Sequence, residues 1–302
     1  MPAGLSVAHL LLGLAVVAVW GTNFVVIKIG LEAFPPLLFA SLRFVFALLP
    51  AVFFLKRPAV PWRHLAAYGV LIGAGQFGLL YVAMRGHISP GLASLVVQMQ
   101  VFFTIGLSVL LAGERVLGYQ WTALALGAAG IVTIAANTDA ATTPLGLALT
   151  LAAAASWAGG NIVAKASGRV NMLAYVVWAS LFSAPPLLVL SLVFEGWPAM
   201  WHGLGEAGAG AWVALLWQSV GNTLFGYAAW AWLLARHPAA TITPMALLVP
   251  VFGMGASAWI LAEPLPPWKL AAAALVMGGL ALNLSYPRWR GWLALRRASA
   301  RG

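Results

Sequence analysis

The sequence predicts an all-α integral membrane protein of ten transmembrane helices, arranged as two inverted five-helix repeats. Three observations carry that expectation. Of 302 residues, 63% are hydrophobic and 7% charged, with a mean hydropathy of +0.95; a soluble domain carries about 25% charged residues. Apolar stretches of about 20 residues, the length that crosses a bilayer, recur along the chain. A motif near the start, "WGTNFVVIK" (Trp20–Lys28), returns as "WAGGNIVAK" (Trp157–Lys165).

The stretches fall at 9–29, 37–55, 65–84, 91–112, 118–136, 145–165, 172–193, 211–234, 240–262 and 267–286. Helix breakers separate them: Pro35-Pro36, Pro58 and Pro61, Ser89-Pro90-Gly91, Pro144, the Gly-rich run Gly196 to Gly210, Pro238, and Pro264 with Pro266-Pro267. The first stretch lacks a basic leader and carries Asn23 and Lys28, so it reads as a retained helix and not a cleaved signal peptide. The net charge of +10 sits in short loops and at the C-terminus, where it sets topology; no nucleic-acid partner is expected. If the N-terminus is cytoplasmic, twelve of the 16 Lys and Arg fall on the inside and three (Lys28, Arg85, Lys269) outside, with Arg43 inside a span. That asymmetry places both termini in the cytoplasm of a multi-pass protein.

Each half repeats the other. Trp20 matches Trp157, Lys28 matches Lys165, Asn23 matches Asn161 with one residue of slippage, and Glu114 lies over Glu263. The offset grows from 137 to 149 residues because of the insertion between Glu195 and Gly210. The first repeat spans 1–140 and the second 141–287, leaving 288–302 as a basic cytoplasmic tail. Five spans per copy invert the second copy in the membrane, an arrangement typical of transporters with a site between the halves.

Polar side chains in hydrocarbon need a partner, a cavity or an escape to the interface. Trp20 with Asn23, and Trp157 with Asn161, place an aromatic ring and an amide on neighbouring parts of one helix face. They read as two walls of a central pocket, against the plainer use of Trp in an interfacial belt. Gln76, Tyr81, Gln98, Asn222 and Tyr227 are further lining candidates, weighed against ordinary helix packing. Gln98 and Gln100 sit about 200° apart on an α-helix, so only one of them is expected to face the pocket. Lys28 and Lys165 fit C-terminal helix dipoles better than substrate contacts. Two roles fit Arg43: holding a substrate carboxylate, or reaching outward to the interface, the cheaper of the two. Gly75 and Pro250 are the hinge candidates.

Absences narrow the function. Glu32, Glu114, Asp139, Glu195, Glu206 and Glu263 all lie at span ends or in loops, as do the five His. A mid-membrane proton relay is therefore not expected, and neutral or zwitterionic substrates are. There is no Cys, hence no thiolate metal site, and no P-loop, so no metal or cofactor is expected.

"WGTNFVVIK", "PPLLFASLRF" (Pro35–Phe44), Gly113-Glu114, "LLVPVFG" (Leu247–Gly253) and "AEP" (Ala262–Pro264) occur in order across the chain. In this the sequence resembles the EamA-type, ten-helix branch of the drug/metabolite transporter superfamily, and within it the YddG-like exporters of aromatic and other amino acids. The resemblance implies peripheral fifth and tenth helices, no enzyme activity, and export of small metabolites, most simply amino acids, across the bacterial inner membrane by alternating access. A monomer suffices for that. Nucleotide-sugar transport would want several basic residues in the spans, where only Arg43 is available. A membrane-embedded lipid-modifying enzyme would want clustered His, Asp or Glu at one face.

Overall fold

The computed structural model describes residues 6–113 and 115–299; Glu114 of the Glu114/Glu263 correspondence lies outside them. Among the described residues the chain is helix and loop, apart from an isolated bridge between Asp139 and Thr142. The helices are α1 (Val7–Gly30), α2 (Pro36–Ala51), α3 (Trp62–Met84), α4 (Pro90–Leu111), α5 (Gly118–Ala135), α6 (Pro144–Ala166), α7 (Met172–Phe194), α8 (Trp197–Glu206), α9 (209–236), α10 (239–260) and α11 (Pro267–Ser299). The last runs through the boundary expected at 287/288 as far as Ser299.

Seven of these are long and apolar enough to cross a membrane: α1, α3, α4, α6, α7, α10 and the Pro267–Tyr286 part of α11. The other three expected spans fall short for visible reasons. Helix α2 has 16 residues, about 24 Å of rise. Helix α5 opens on the polar run Tyr119-Gln120-Trp121-Thr122, and α9 carries Gln218, Ser219, Asn222 and Thr223 at its centre.

Several helices are not uniform. Leu71–Gly78 of α3 and Trp217–Phe225 of α9 are π-helical; Val97–Met99 of α4 and Thr243–Leu247 of α10 are 3₁₀. Pro244 lies within the α10 irregularity and Pro250 just past it, as expected where prolines remove backbone donors. Hydroxyls from neighbouring helices satisfy carbonyls at the α3 break: Ser156 donates to the Leu71 carbonyl at 2.8 Å, and Ser183 to that of Gly69 at 2.8 Å.

Two helices starting at the end of the bundle opposite the N-terminus, α2 and α4, are capped from afar. Helix α2 begins at Pro36 with no local side-chain cap. Glu195, past the end of α7, accepts instead from Leu37 N at 2.6 Å and Leu38 N at 3.1 Å, a carboxylate on a helix N-terminus. Glu263, between α10 and α11, does the same for α4, accepting from Gly91 N at 2.9 Å and Ser89 Oγ at 2.5 Å. It also accepts from Ser257 and pairs with Lys269 at 2.9 Å.

Helix α2 packs on α7, α11 on α5, α1 on α10, α4 on α6, α3 on α6 and α7, and α9 on α1 and α2. Large apolar side chains remain on the perimeter, among them Phe53, Leu110 and Trp259. Exposed oil on this scale fits lipid, not water.

Candidate functional site

A cavity of about 490 Å³ lies inside the bundle, within the range of small-molecule sites. Its wall takes Trp20, Asn23, Phe24 and Ile27 from α1, Arg43 from α2, and Tyr68, Gln76, Phe77 and Leu80 from α3. Val97, Gln98 and Gln100 come from α4, Trp157, Asn161 and Ala164 from α6, and Met172 from α7. Asn222, Tyr227 and Trp230 of α9 close the ring with Thr243, Ala246 and Val249 of α10. The lining reaches the end of the bundle where α6 finishes and α7 and α10 begin, the same end as the start of α1. The opposite end is packed shut. Phe34 stacks on Phe39 at 5.4 Å, Trp212 meets Phe34 edge-on at 5.3 Å, and Met84 and Leu92 are fully buried.

Arg43 does not reach outward. It is 2% exposed and turns into the bundle, which corrects the interfacial reading of this residue. Its Nη1 donates to Tyr81 Oη and Gln218 Oε1, each at 3.3 Å. Its Nη2 donates to Asn222 Oδ1 at 2.9 Å and Thr223 Oγ1 at 3.2 Å, and the guanidinium lies 3.7 Å from the Phe77 ring centroid. Four neutral acceptors and an aromatic face hold the charge without a carboxylate. The π-helical stretch makes this possible: i→i+5 bonding returns Thr223 to the face that carries Gln218 and Asn222. Ser219 adds a hydrogen bond to the Arg43 carbonyl at 3.1 Å.

Tyr81, expected on the wall, stands behind it. It is fully buried and hydrogen-bonded to Gln218 and Arg43, so it props the guanidinium and does not line the cavity. Gln98 and Gln100 correct a second expectation, because both line it. The 3₁₀ turn Val97–Met99 advances about 120° per residue instead of about 100°, narrowing the angle between the two side chains. Sequence spacing alone carried no sign of that turn. Phe77, Tyr68 and Trp230 were also missed, since aromatic residues in apolar spans look like ordinary packing; the closeness of Phe77 to Gln76 was the available hint.

The duplicated motif is no longer symmetric. Trp20 donates its indole N–H to the Asn222 carbonyl at 3.2 Å and lies 5.1 Å from Trp230 and 5.9 Å from Tyr227. Gly226 allows this, because a Cβ there would collide with the indole. Asn161 donates to Gln100 Oε1 at 2.8 Å and Thr104 Oγ1 at 3.3 Å. Lys28 and Lys165 occupy the last turns of α1 and α6, where a cation meets the negative end of the helix dipole. Gly75 lies in the π-helical stretch, and a Cβ on it would collide with Ser156 Oγ. Close approach of α3 to α6 is the use the structure records for it. Pro250 is buried two residues into the regular part of α10. No cluster of three or more His, Cys, Asp or Glu exists among the described residues.

Comparison with known proteins agrees with this architecture. A probable amino-acid metabolite efflux pump of Escherichia coli (strain K12) is 40% identical over 285 residues, covering 92% of this chain and 95% of that protein. Its counterpart in Salmonella typhimurium (strain LT2) is 42% identical over 279 residues, covering 90% and 93%. A probable terminal-alkyne amino-acid exporter of Streptantibioticus cattleyicolor is 26% identical over 278 residues, covering 88% and 90%. A solved crystal structure has the same fold, with a TM-score of 0.59 at 20% identity over 91% of this chain and 95% of that one. The model of the EamA-like transporter family matches twice, at residues 8–136 and 144–285. The chain is a multi-pass membrane transporter and belongs to the EamA-like transporter family.

Proposed function

We propose that the chain exports amino acids, aromatic and other neutral ones foremost, from the bacterial cytoplasm by alternating access through the cavity between two inverted five-helix repeats. One observation carries this reading: a mid-bundle cavity, sealed at one end, with Trp20, Trp157 and Tyr227 on its wall and Arg43 the one charged residue among its described lining. Flat aromatic faces suit hydrophobic side chains, and amides beside a guanidinium suit a zwitterionic backbone. The relatives named above as amino-acid exporters support the substrate class.

Inversion is supported by paired features of the two halves. Contacts between α1 and α10 have a counterpart in α6 with α4, those between α1 and α9 in α6 with α3, and those between α2 and α9 in α7 with α3. The π-helical stretches fall in α3 and α9 and the 3₁₀ turns in α4 and α10, corresponding helices of the two halves. With both termini cytoplasmic, the sealed end faces outward and the cavity faces in. One chain supplies every lining residue, so a monomer suffices. Gly75, within the π-helical stretch of α3, and Pro250, just past the 3₁₀ turn of α10, serve as hinges.

Counterflow in proteoliposomes tests the function. Vesicles loaded with one unlabelled amino acid and given traces of the labelled one should accumulate label for neutral members of a twenty-amino-acid panel. No exchange for any of the twenty overturns the reading.

A further inference from the structure

Three amides on the cavity wall have no side-chain hydrogen-bond partner among the described residues. Asn23, Gln76 and Gln98 are 4%, 5% and 8% exposed and all line the cavity; among the described residues none of their side chains enters a hydrogen bond, and Asn23 Oδ1 is buried without a partner. Buried amides are rarely left so. Arg43 Nε is also without a partner, although both terminal nitrogens of the same guanidinium are engaged. All four residues come from the first half of the chain, on α1, α2, α3 and α4. In the second half the lining amides are engaged: Asn161 donates to Gln100 and Asn222 accepts from Arg43; behind the wall Gln218 also accepts from Arg43, while its own Nε2 has no partner among the described residues. Among the described lining amides, those whose side chains enter no hydrogen bond all lie in the first half.

The free groups differ in what they demand. Arg43 is a fixed positive charge with only donors. Among the described residues no acidic side chain lines the cavity, so a ligand carboxylate supplies the missing counter-charge. A ligand that is only cationic meets repulsion in a medium that screens it poorly. The amides carry no charge and, by turning, present either an oxygen or an NH₂. They can accept from an ammonium or from an acylated nitrogen, and donate to the acyl oxygen of the latter.

Building on the amino-acid reading above, we propose that Arg43 makes a free carboxylate obligatory in the substrate, whereas Asn23, Gln76 and Gln98 bind its nitrogen end without requiring a charge there. The transporter therefore carries amino acids and their N-acyl derivatives alike, and refuses amino-acid amides and decarboxylated amines.

Competition in the counterflow assay tests this with phenylalanine, leucine and threonine, each as free acid, N-acetyl derivative and primary amide. The free acids and N-acetyl forms should compete within about tenfold of each other, and the primary amides at least about tenfold more weakly, the scale of one lost charge-assisted hydrogen bond. Arg43→Gln, checked for folding by its melting temperature in detergent, should erase the difference between acid and amide. If that variant does not fold, the wild-type comparison still decides. Primary amides competing as well as the acids overturn the role of Arg43, and N-acetyl forms refused as strongly as the amides overturn that of the three amides. If none of the twenty free amino acids exchanges, the amino-acid reading itself has failed and this inference falls with it.

Discussion

Asn23 and Asn161 show how far two copies of one motif have diverged. Both stood out in sequence because an amide in hydrocarbon needs a reason to be there, and the sequence says nothing about which reason applies. Asn161 spends its NH₂ on Gln100 and Thr104; Asn23 has no protein partner. Arg43 was visible for the same cause and misread, because three of the four acceptors that hold it lie 175 to 180 residues away on α9 and nothing local announces them. Tyr81 looked like a wall residue until that network claimed it. The contrast between the two asparagines gives a prediction. Asn161→Ala strands Gln100 Oε1 and should lower stability by about 1–3 kcal/mol, read as a drop in melting temperature in detergent. Asn23→Ala breaks no bond, so it should melt closer to wild type while losing more transport per folded molecule. Equal losses of stability in the two variants would contradict the division between a committed amide and a free one.

At the level of elements, the apolar stretches were legible because the bilayer tolerates little else than a helix of sufficient length. Their irregularities were not. No residue in "LIGAGQFG" or "WQSVGNTLF" announces i→i+5 bonding, and at the α3 break the carbonyls are taken up by hydroxyls of other helices, Ser156 and Ser183. The capping of α4 and α2 by Glu263 and Glu195 was equally hidden, since carboxylates in loops look solvated until the fold brings a helix N-terminus to them. Glu263 carries a pH prediction. Desolvation pushes its carboxyl up, but hydrogen bonds from Ser257, Ser89, Lys269 and the Gly91 backbone outweigh it and leave the group below its ordinary value. A carboxyl lowered by folding stabilises the native state above its unfolded value, and that contribution disappears as pH falls through the folded one. The melting temperature should therefore hold from neutral pH down to the usual glutamate range, about 4.3, and drop below it. Glu263→Gln should melt lower at pH 7 and show a smaller acid-induced drop. An unchanged acid response in that variant would place the sensitivity elsewhere.

For the whole molecule, class and family were legible because they rest on composition, period and order, quantities that survive sequence drift. The count of spans was less so: α2, α5 and α9 fall short of ordinary membrane helices, and in α9 the shortfall is the polar group Gln218, Ser219, Asn222 and Thr223 that holds Arg43. A span that looks too polar is here a span that builds the site. Which end of the cavity is sealed depends on packing between helices distant in sequence, so no local pattern reports it. Orientation is tested simply, because the chain has no native Cys. A single Cys at Gly302 should resist an impermeant thiol reagent in intact cells, and one at Gly205, in α8, should react; the reverse pattern refutes cytoplasmic termini. Energy coupling is the last consequence of the same arrangement. A carrier that exchanges substrate for protons needs a group in the cavity that gains and loses a proton as substrate leaves and enters. Among the described residues the lining includes no Asp, Glu or His, and its one charged member is the guanidinium of Arg43. Substrate exchange should therefore persist in proteoliposomes held at equal internal and external pH with a protonophore present, at a rate within about twofold of that without it. Abolition of exchange under those conditions would mean that a titrating group outside the cavity wall drives the cycle, and the facilitated mechanism would have to be abandoned.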